Sequence, residues 1–172
     1  MKNNTLSLIE SLRFANHDFL NHLQLINLYL ELGQIEEAKK CIKEISGEYK
    51  KLSTLNKLSI PKTIEWLYLF RWRFPAIHLT INSYIEDVIC LQNDDEIVEY
   101  LEQTINQVYN GLDPYSEQLL SIVIQPLQKE LKLQFHLMGN WATNLYQIEV
   151  TNLKVQTFEM TQQSWKFELT LE

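Results

Sequence analysis

Between residues 6 and 32 the chain carries no glycine or proline, and Leu12, Ala15, Phe19, Leu23, Ile26 and Leu30 recur along it. Steps of three and four residues lay these side chains along one stripe of an amphipathic helix. The spacing predicts a first helix over about residues 4–32, after a polar lead-in over 1–5, with Gly33 as its left-handed C-terminal cap. A second stripe follows at once: Ile35, Ala38, Ile42, Ile45, Tyr49, Leu52, then Leu55 or Asn56. It predicts a helix over 34–58, with Glu36 and Glu37 near its start and Lys50, Lys51 and Lys57 near its end, as the helix dipole favours. Gly47 inside it costs about 1 kcal/mol relative to Ala; a close helix contact would account for it. Two long helices joined by so short a turn make an antiparallel hairpin. Such a hairpin offers two apolar stripes and buries about half of that surface within itself. Two copies packing as a four-helix bundle bury the remainder, so residues 1–58 are expected to form a homodimer. The alternative is a monomer whose hairpin packs on its own C-terminal part.

After Ser59-Ile60-Pro61 the pattern changes, which predicts two domains, 1–58 and 62–172. An apolar helix is expected over 63–74, stopped by Pro75, and a strand over 76–84. Asp94 and Asp95 are good N-cap residues for a helix reaching about residue 110, and Gly111-Leu112-Asp113-Pro114 is a turn cluster. Residues 118–125 and 131–138 read as strands, with Pro126 and Lys129 between them, and 141–151 as helical. A closing hairpin over 155–160 and 165–171 turns at Gln162-Gln163-Ser164. The fold class is α+β: a helical hairpin followed by a mixed or antiparallel sheet with helices on one face.

Composition narrows the function. The 172 residues suffice for one ordinary domain or two small ones. A net charge of -7 disfavours nucleic acid, which needs clustered Lys and Arg against phosphate. Cys41 and Cys90 are far apart and match no metal spacing; with no signal peptide evident, they suggest reduced thiols and a cytoplasmic setting. No apolar run is long enough to predict a membrane span.

The candidate chemistry lies in Asn16-His17-Asp18-Phe19-Leu20-Asn21-His22-Leu23-Gln24-Leu25-Ile26. His17 falls about 140° from Leu12 on the helical wheel and so points away from the seam. Asp18 supplies a carboxylate to hold the imidazole, and Asn21, one turn on, shares its face. Arg13, Phe14, Leu20, Asn21, Gln24 and Leu28 all lie within roughly 60° of His17, a face whose apolar residues suggest a partner surface; the alternative is that the second domain covers Phe14 or Leu28. His22 lies closer to the seam and reads as structural, as do His78 and His136 in expected strands.

The order His-Asp-Phe-x-Asn-x-Leu-x-x-Ile from His17 to Ile26 resembles the phosphoacceptor helix of sensor kinases. More closely it resembles the sporulation-initiation phosphotransferases, kinase-derived carriers of a phosphorelay. The order of the C-terminal part is similar to the ATPase domain of histidine kinases, in the shortened form that has lost nucleotide binding in that carrier family. Asn106 and Asn110 have the Asn-x-x-x-Asn spacing of the kinase magnesium motif, but Gly139 is the single glycine after residue 111 and no Asp-x-Gly-x-Gly occurs. Glycine lets backbone amides approach phosphate closely, so ATP-dependent kinase activity is not expected. The resemblance implies a histidine phosphotransferase that moves a phosphoryl group between aspartates of response-regulator receiver domains, with His17 and Asp18 catalytic. It implies no intrinsic cofactor, with Mg²⁺ supplied on the regulator. Two other readings remain: the cytoplasmic module of a quorum-sensing-type histidine kinase, and a dimer that binds regulators without catalysis.

Overall fold

The computed structural model describes residues 6–127, 130–142, 144–150 and 152–171. The chain divides into two units, Met1–Ser53 and Thr54–Glu172.

The first unit holds α1 (Leu8–Glu31) and α2 (Ile35–Thr54). The expected lead-in over 1–5 and the helix start near residue 4 lie outside the described residues; the helix begins at Leu8 because Ser7 forms a capping box with Glu10. Ser7 Oγ accepts from the Glu10 amide at 3.3 Å, and the Glu10 carboxylate accepts from the Ser7 amide at 2.9 Å. Ser7 Oγ also donates to the Glu10 carboxylate at 2.7 Å, and this bond, with the one from the Ser7 amide, holds the Glu10 carboxyl below its usual value. At the other end Gly33, at φ +70, lets the Gln34 amide reach the Tyr29 carbonyl (2.8 Å) and its own amide reach Leu30 (3.0 Å). This doubly bonded cap turns the chain into α2 within three residues.

No residue of α1 is buried. Its less exposed positions, Ser11, Ala15, Asp18, His22, Ile26 and Tyr29, mirror Ala38, Cys41, Ile45 and Leu52 of α2 about the turn. This inner face is displaced by about 60° from the stripe read in the sequence. Ala15 and Ile26 belong to both faces, whereas Leu12, Phe19, Leu23 and Leu30 of that stripe stay about half exposed. Among the described residues of this unit nothing covers that half-exposed face of α1. A Cβ at Gly47 would touch nothing among the described residues, so no close helix contact there accounts for it.

The second unit begins earlier than the sequence boundary suggests. A 3-10 turn over Leu55–Lys57 follows α2 directly, and Leu55, Leu58 and Ile60 are buried. Leu58 bridges to Ile89, and Ser59 Oγ accepts from the Leu91 amide at 2.9 Å. Helix α3 (Pro61–Arg73) starts with Pro61 in its first turn and packs Trp66, Leu67 and Phe70 inward, followed by Phe74. Helix α4 (Asp94–Tyr109) packs beside it.

The strands are β1 (His78–Ser83), β2 (Leu119–Leu127), β3 (Glu130–Met138), β4 (Lys154–Met160) and β5 (Ser164–Leu171). They form one sheet ordered β1-β2-β3-β5-β4, with β1 parallel to β2 and the other pairs antiparallel. Alternate residues of the central strands, among them Ile122, Leu133, Phe135 and Phe167, are buried. Tyr100 of α4 meets the Phe167 ring edge-on at 5.5 Å, which places α4 on that face and gives the expected α+β layering.

Three local expectations differ. Pro126 is not in the β2–β3 turn but pairs with Leu131 near the end of β2; a missing N–H is tolerated near a strand end. Asp94 and Asp95 do not cap α4, whose N-cap is Asn93 at φ 65. The region 141–151 is not helical where described; Thr143 and Thr151 lie outside the described residues. Its backbone is bonded elsewhere: the Ala142 amide donates to the Gly111 carbonyl (2.9 Å) and the Tyr146 amide to Gln107 Oε1 (2.9 Å). Trp141 and Ile148, both buried, pin it to the core.

Candidate functional site

His17 sits near the middle of α1, on the side away from the inner face, and its side chain is 70% exposed. The capping box at one end and the glycine cap at the other satisfy the helix termini, so the imidazole projects from a well-terminated rod. Two neighbours meet its Nδ1. Asn21 Nδ2 lies 3.2 Å away, one turn along the helix, and Asp18 Oδ1 lies 3.6 Å away. Asp18 is 31% exposed and sits at the edge of the inner face, so its carboxylate reaches the ring from the better-packed side. The other ring nitrogen, Nε2, has no such neighbour among the described residues.

Arg13, Phe14, Leu20, Asn21, Gln24 and Leu28 are all exposed, and with His17 they share one face of α1. The wheel missed two residues beside them: Ile9 and Asn16 join Leu12, Arg13, His17 and Leu20 around a shallow, open depression. Both lie about 80–100° from His17 on an ideal wheel; the length of the side chains brings them to its edge. His22 differs from His17: it lies on the inner face, and its buried Nδ1 has no hydrogen-bond partner among the described residues. His78 is exposed on β1, and His136 Nε2 lies 3.3 Å from Ser164 Oγ.

The second unit spends its kinase-like asparagines internally. Asn106 Nδ2 donates to Glu102 Oε1 (3.1 Å), and Asn110 Nδ2 donates to the Asn106 carbonyl (2.9 Å). Glu102 also accepts from Trp66 Nε1 (2.7 Å) and Arg73 Nη2 (2.6 Å), so this carboxylate ties α3 to α4. Gly139 does not line an open loop. A Cβ there would lie 1.7 Å from Gln118 Oε1, an atom that accepts from the Asn140 amide at 3.1 Å. Among the described residues no group of three or more His, Cys, Asp or Glu side chains is placed to hold a metal ion. No helix among them is long and apolar enough to cross a membrane.

Comparison with known proteins agrees with the helical part. Residues 1–58 match the family model of the sensor kinase SpoOB-type, alpha-helical domain. No curated protein matches the chain. Solved structures that resemble it include the Acinetobacter baumannii histidine kinase AdeS, at 9% identity and a TM-score of 0.42, covering 91% of this chain and 97% of that one. Another is histidine kinase ThkA in complex with response regulator protein TrrA, at 9% identity and a TM-score of 0.44, covering 95% of this chain and 61% of that one. The family match thus covers the helices that carry His17, residues 1–58 of the 172.

Proposed function

We propose that this protein is a histidine phosphotransferase that takes a phosphoryl group from an aspartyl phosphate on one response regulator and gives it to an aspartate on another. The observation that carries the reading is the exposed imidazole of His17, with Asn21 Nδ2 at 3.2 Å and the Asp18 carboxylate at 3.6 Å from its Nδ1, in a stretch that matches a sensor-kinase helical domain.

The chemistry follows from that arrangement. With the proton on Nδ1 and the Asn21 amide turned so that its oxygen faces that proton, the lone pair of Nε2 faces solvent and attacks phosphorus in line with the acyl oxygen. The N–P bond forms as the P–O bond to aspartate breaks, and the carboxylate leaves with the electron pair. The ring then carries a positive charge with its Nδ1 proton in place, and the Asp18 carboxylate stabilises it. Reversal onto a second aspartate returns the imidazole to its starting state. A Mg²⁺ ion carried by the regulator would neutralise the phosphoryl oxygens. Regulators dock on the face bearing Arg13, Phe14, Leu20, Gln24 and Leu28, which brings their aspartate to His17.

The half-exposed Leu12, Phe19, Leu23 and Leu30 support dimerisation through the hairpin into a four-helix bundle. The internal use of Asn106 and Asn110 supports a second unit that does not act as a kinase. Variants test the assignment: His17→Ala abolishes transfer while fold and dimer persist, and His22→Ala, if it folds, retains transfer. Loss of transfer in a folded His22→Ala with activity kept in His17→Ala moves the carrier to His22.

A further inference from the structure

Between Leu6 and Gly33, Arg13 is the single Lys or Arg. It lies one turn before His17. Side chains on a helix lean toward its N-terminus, so the imidazole overhangs the turn that carries Arg13. The two side chains line one shallow depression with Ile9, Leu12, Asn16 and Leu20. The Glu10 carboxylate feels the guanidinium, but its bonds go to Ser7 Oγ (2.7 Å) and the Ser7 amide (2.9 Å), which leaves Arg13 able to take another anion. The Nδ1 side of the ring carries the opposite charge, since the Asp18 carboxylate lies 3.6 Å from that nitrogen. A phosphoryl group arriving at Nε2 spreads negative charge over three oxygens, and Asp18 repels it.

We infer that the depression beside His17 is the seat of the phosphoryl group carried on Nε2, and that the Arg13 guanidinium binds its oxygens there. The planar fork of guanidinium N–H donors matches two phosphoryl oxygens at once. Bound in this way, Arg13 offsets the repulsion from Asp18 and neutralises charge on the oxygens while the N–P bond forms. The role rests on the phosphotransfer reading for its purpose, but Arg13 acts on the phosphoryl group whatever donor supplies it. That gives Arg13 a task distinct from those of Leu20 and Gln24, which meet the partner protein itself.

The test uses the full chain and phosphoramidate, a small donor that needs no receiver domain. Nε2 attacks phosphorus, the P–N bond of the zwitterionic donor breaks, and ammonia leaves with the electron pair, while the Nδ1 proton stays on the ring. Labelling is followed by mass spectrometry, and the bound phosphoryl group is titrated by ³¹P NMR. Wild type is expected to label at His17. Arg13→Gln is expected to label at least about fivefold more slowly. Its phosphoryl titration is expected to move up by about 0.5 pH unit or more, since a nearby cation favours the dianion. Arg13→Lys, which keeps the charge, is expected to restore most of both. Coincident titrations in wild type and Arg13→Gln would overturn the proposal whatever the rates, because a merely structural arginine moves only the rates. No label on His17 from phosphoramidate would overturn it together with the transfer reading. Arg13-dependent label from phosphoramidate, with none from phospho-receiver domains, would leave the phosphoryl seat standing and sink transfer between regulators.

Discussion

Asp94 is the first residue of α4, yet its carboxylate caps α3: Oδ1 accepts from the Thr63 amide at 2.8 Å and from Thr63 Oγ1 at 2.7 Å. Oδ2 takes the Lys62 amide at 2.7 Å. One side chain thus satisfies two of the orphan donors of the neighbouring helix and fixes how the pair is aligned. Asp94→Ala is expected to cost about 0.5–2 kcal/mol, read as a lower urea midpoint at unchanged slope. An unchanged midpoint would show that the cap is dispensable.

Glu102 joins Trp66, Arg73 and Asn106. Replacing it by Leu removes the acceptor of a buried indole and one partner of a largely buried guanidinium together, so a loss of roughly 2–4 kcal/mol is expected. Asn106→Ala gives up one hydrogen bond and is expected to cost about 1 kcal/mol. Equal losses in thermal unfolding would contradict the assignment of Glu102 as the hub.

The helical elements were legible because their signals are local. The steps at Leu12, Phe19 and Leu23 and the glycine after Leu32 mark α1 and its end without reference to anything distant. The outward direction of His17 was legible the same way, since it follows from the helical repeat. What was hidden depends on partners far along the chain. Asp94 looks like an N-cap for its own helix, and nothing local reveals that the Lys62 and Thr63 amides lie closer. The stretch after Trp141 reads as helical by composition, but its backbone is claimed by Gly111 and Gln107. The Asn21–His17 contact was half visible: spacing put both on one face, but not the amide against Nδ1.

Glu168 lies on β5 at 4% exposure, bonded to Lys132 Nζ (2.6 Å) and Gln134 Nε2 (2.9 Å). Burial alone would raise its pKa, but the bonds from Lys132 and Gln134 and the lysine charge outweigh it and hold the carboxyl below the usual value. A carboxyl lowered in the folded state adds stability that is present above its unfolded pKa of about 4.3 and is lost as pH falls through the folded value. Stability of the second unit is therefore expected to drop below about pH 4.3, with a shallower decline in Glu168→Gln. Identical acid limbs for the two proteins would refute this.

The half-exposed Leu23, at 47%, stands for the open stripe of α1. Leu23→Lys is expected to convert a dimer into a folded monomer by analytical ultracentrifugation at micromolar concentration. A wild-type protein that is itself monomeric there would refute the bundle.

The central claim is that His17 receives its phosphoryl group from a regulator. The most direct measurement offers purified protein ³²P-labelled ATP in one reaction and a ³²P-labelled phospho-receiver domain in another, then follows alkali-stable label on the chain. Label from the receiver alone, absent in His17→Ala, is the result predicted. Label from ATP without any receiver, or none on His17 from phospho-receivers that label an established phosphotransferase in parallel, would contradict it.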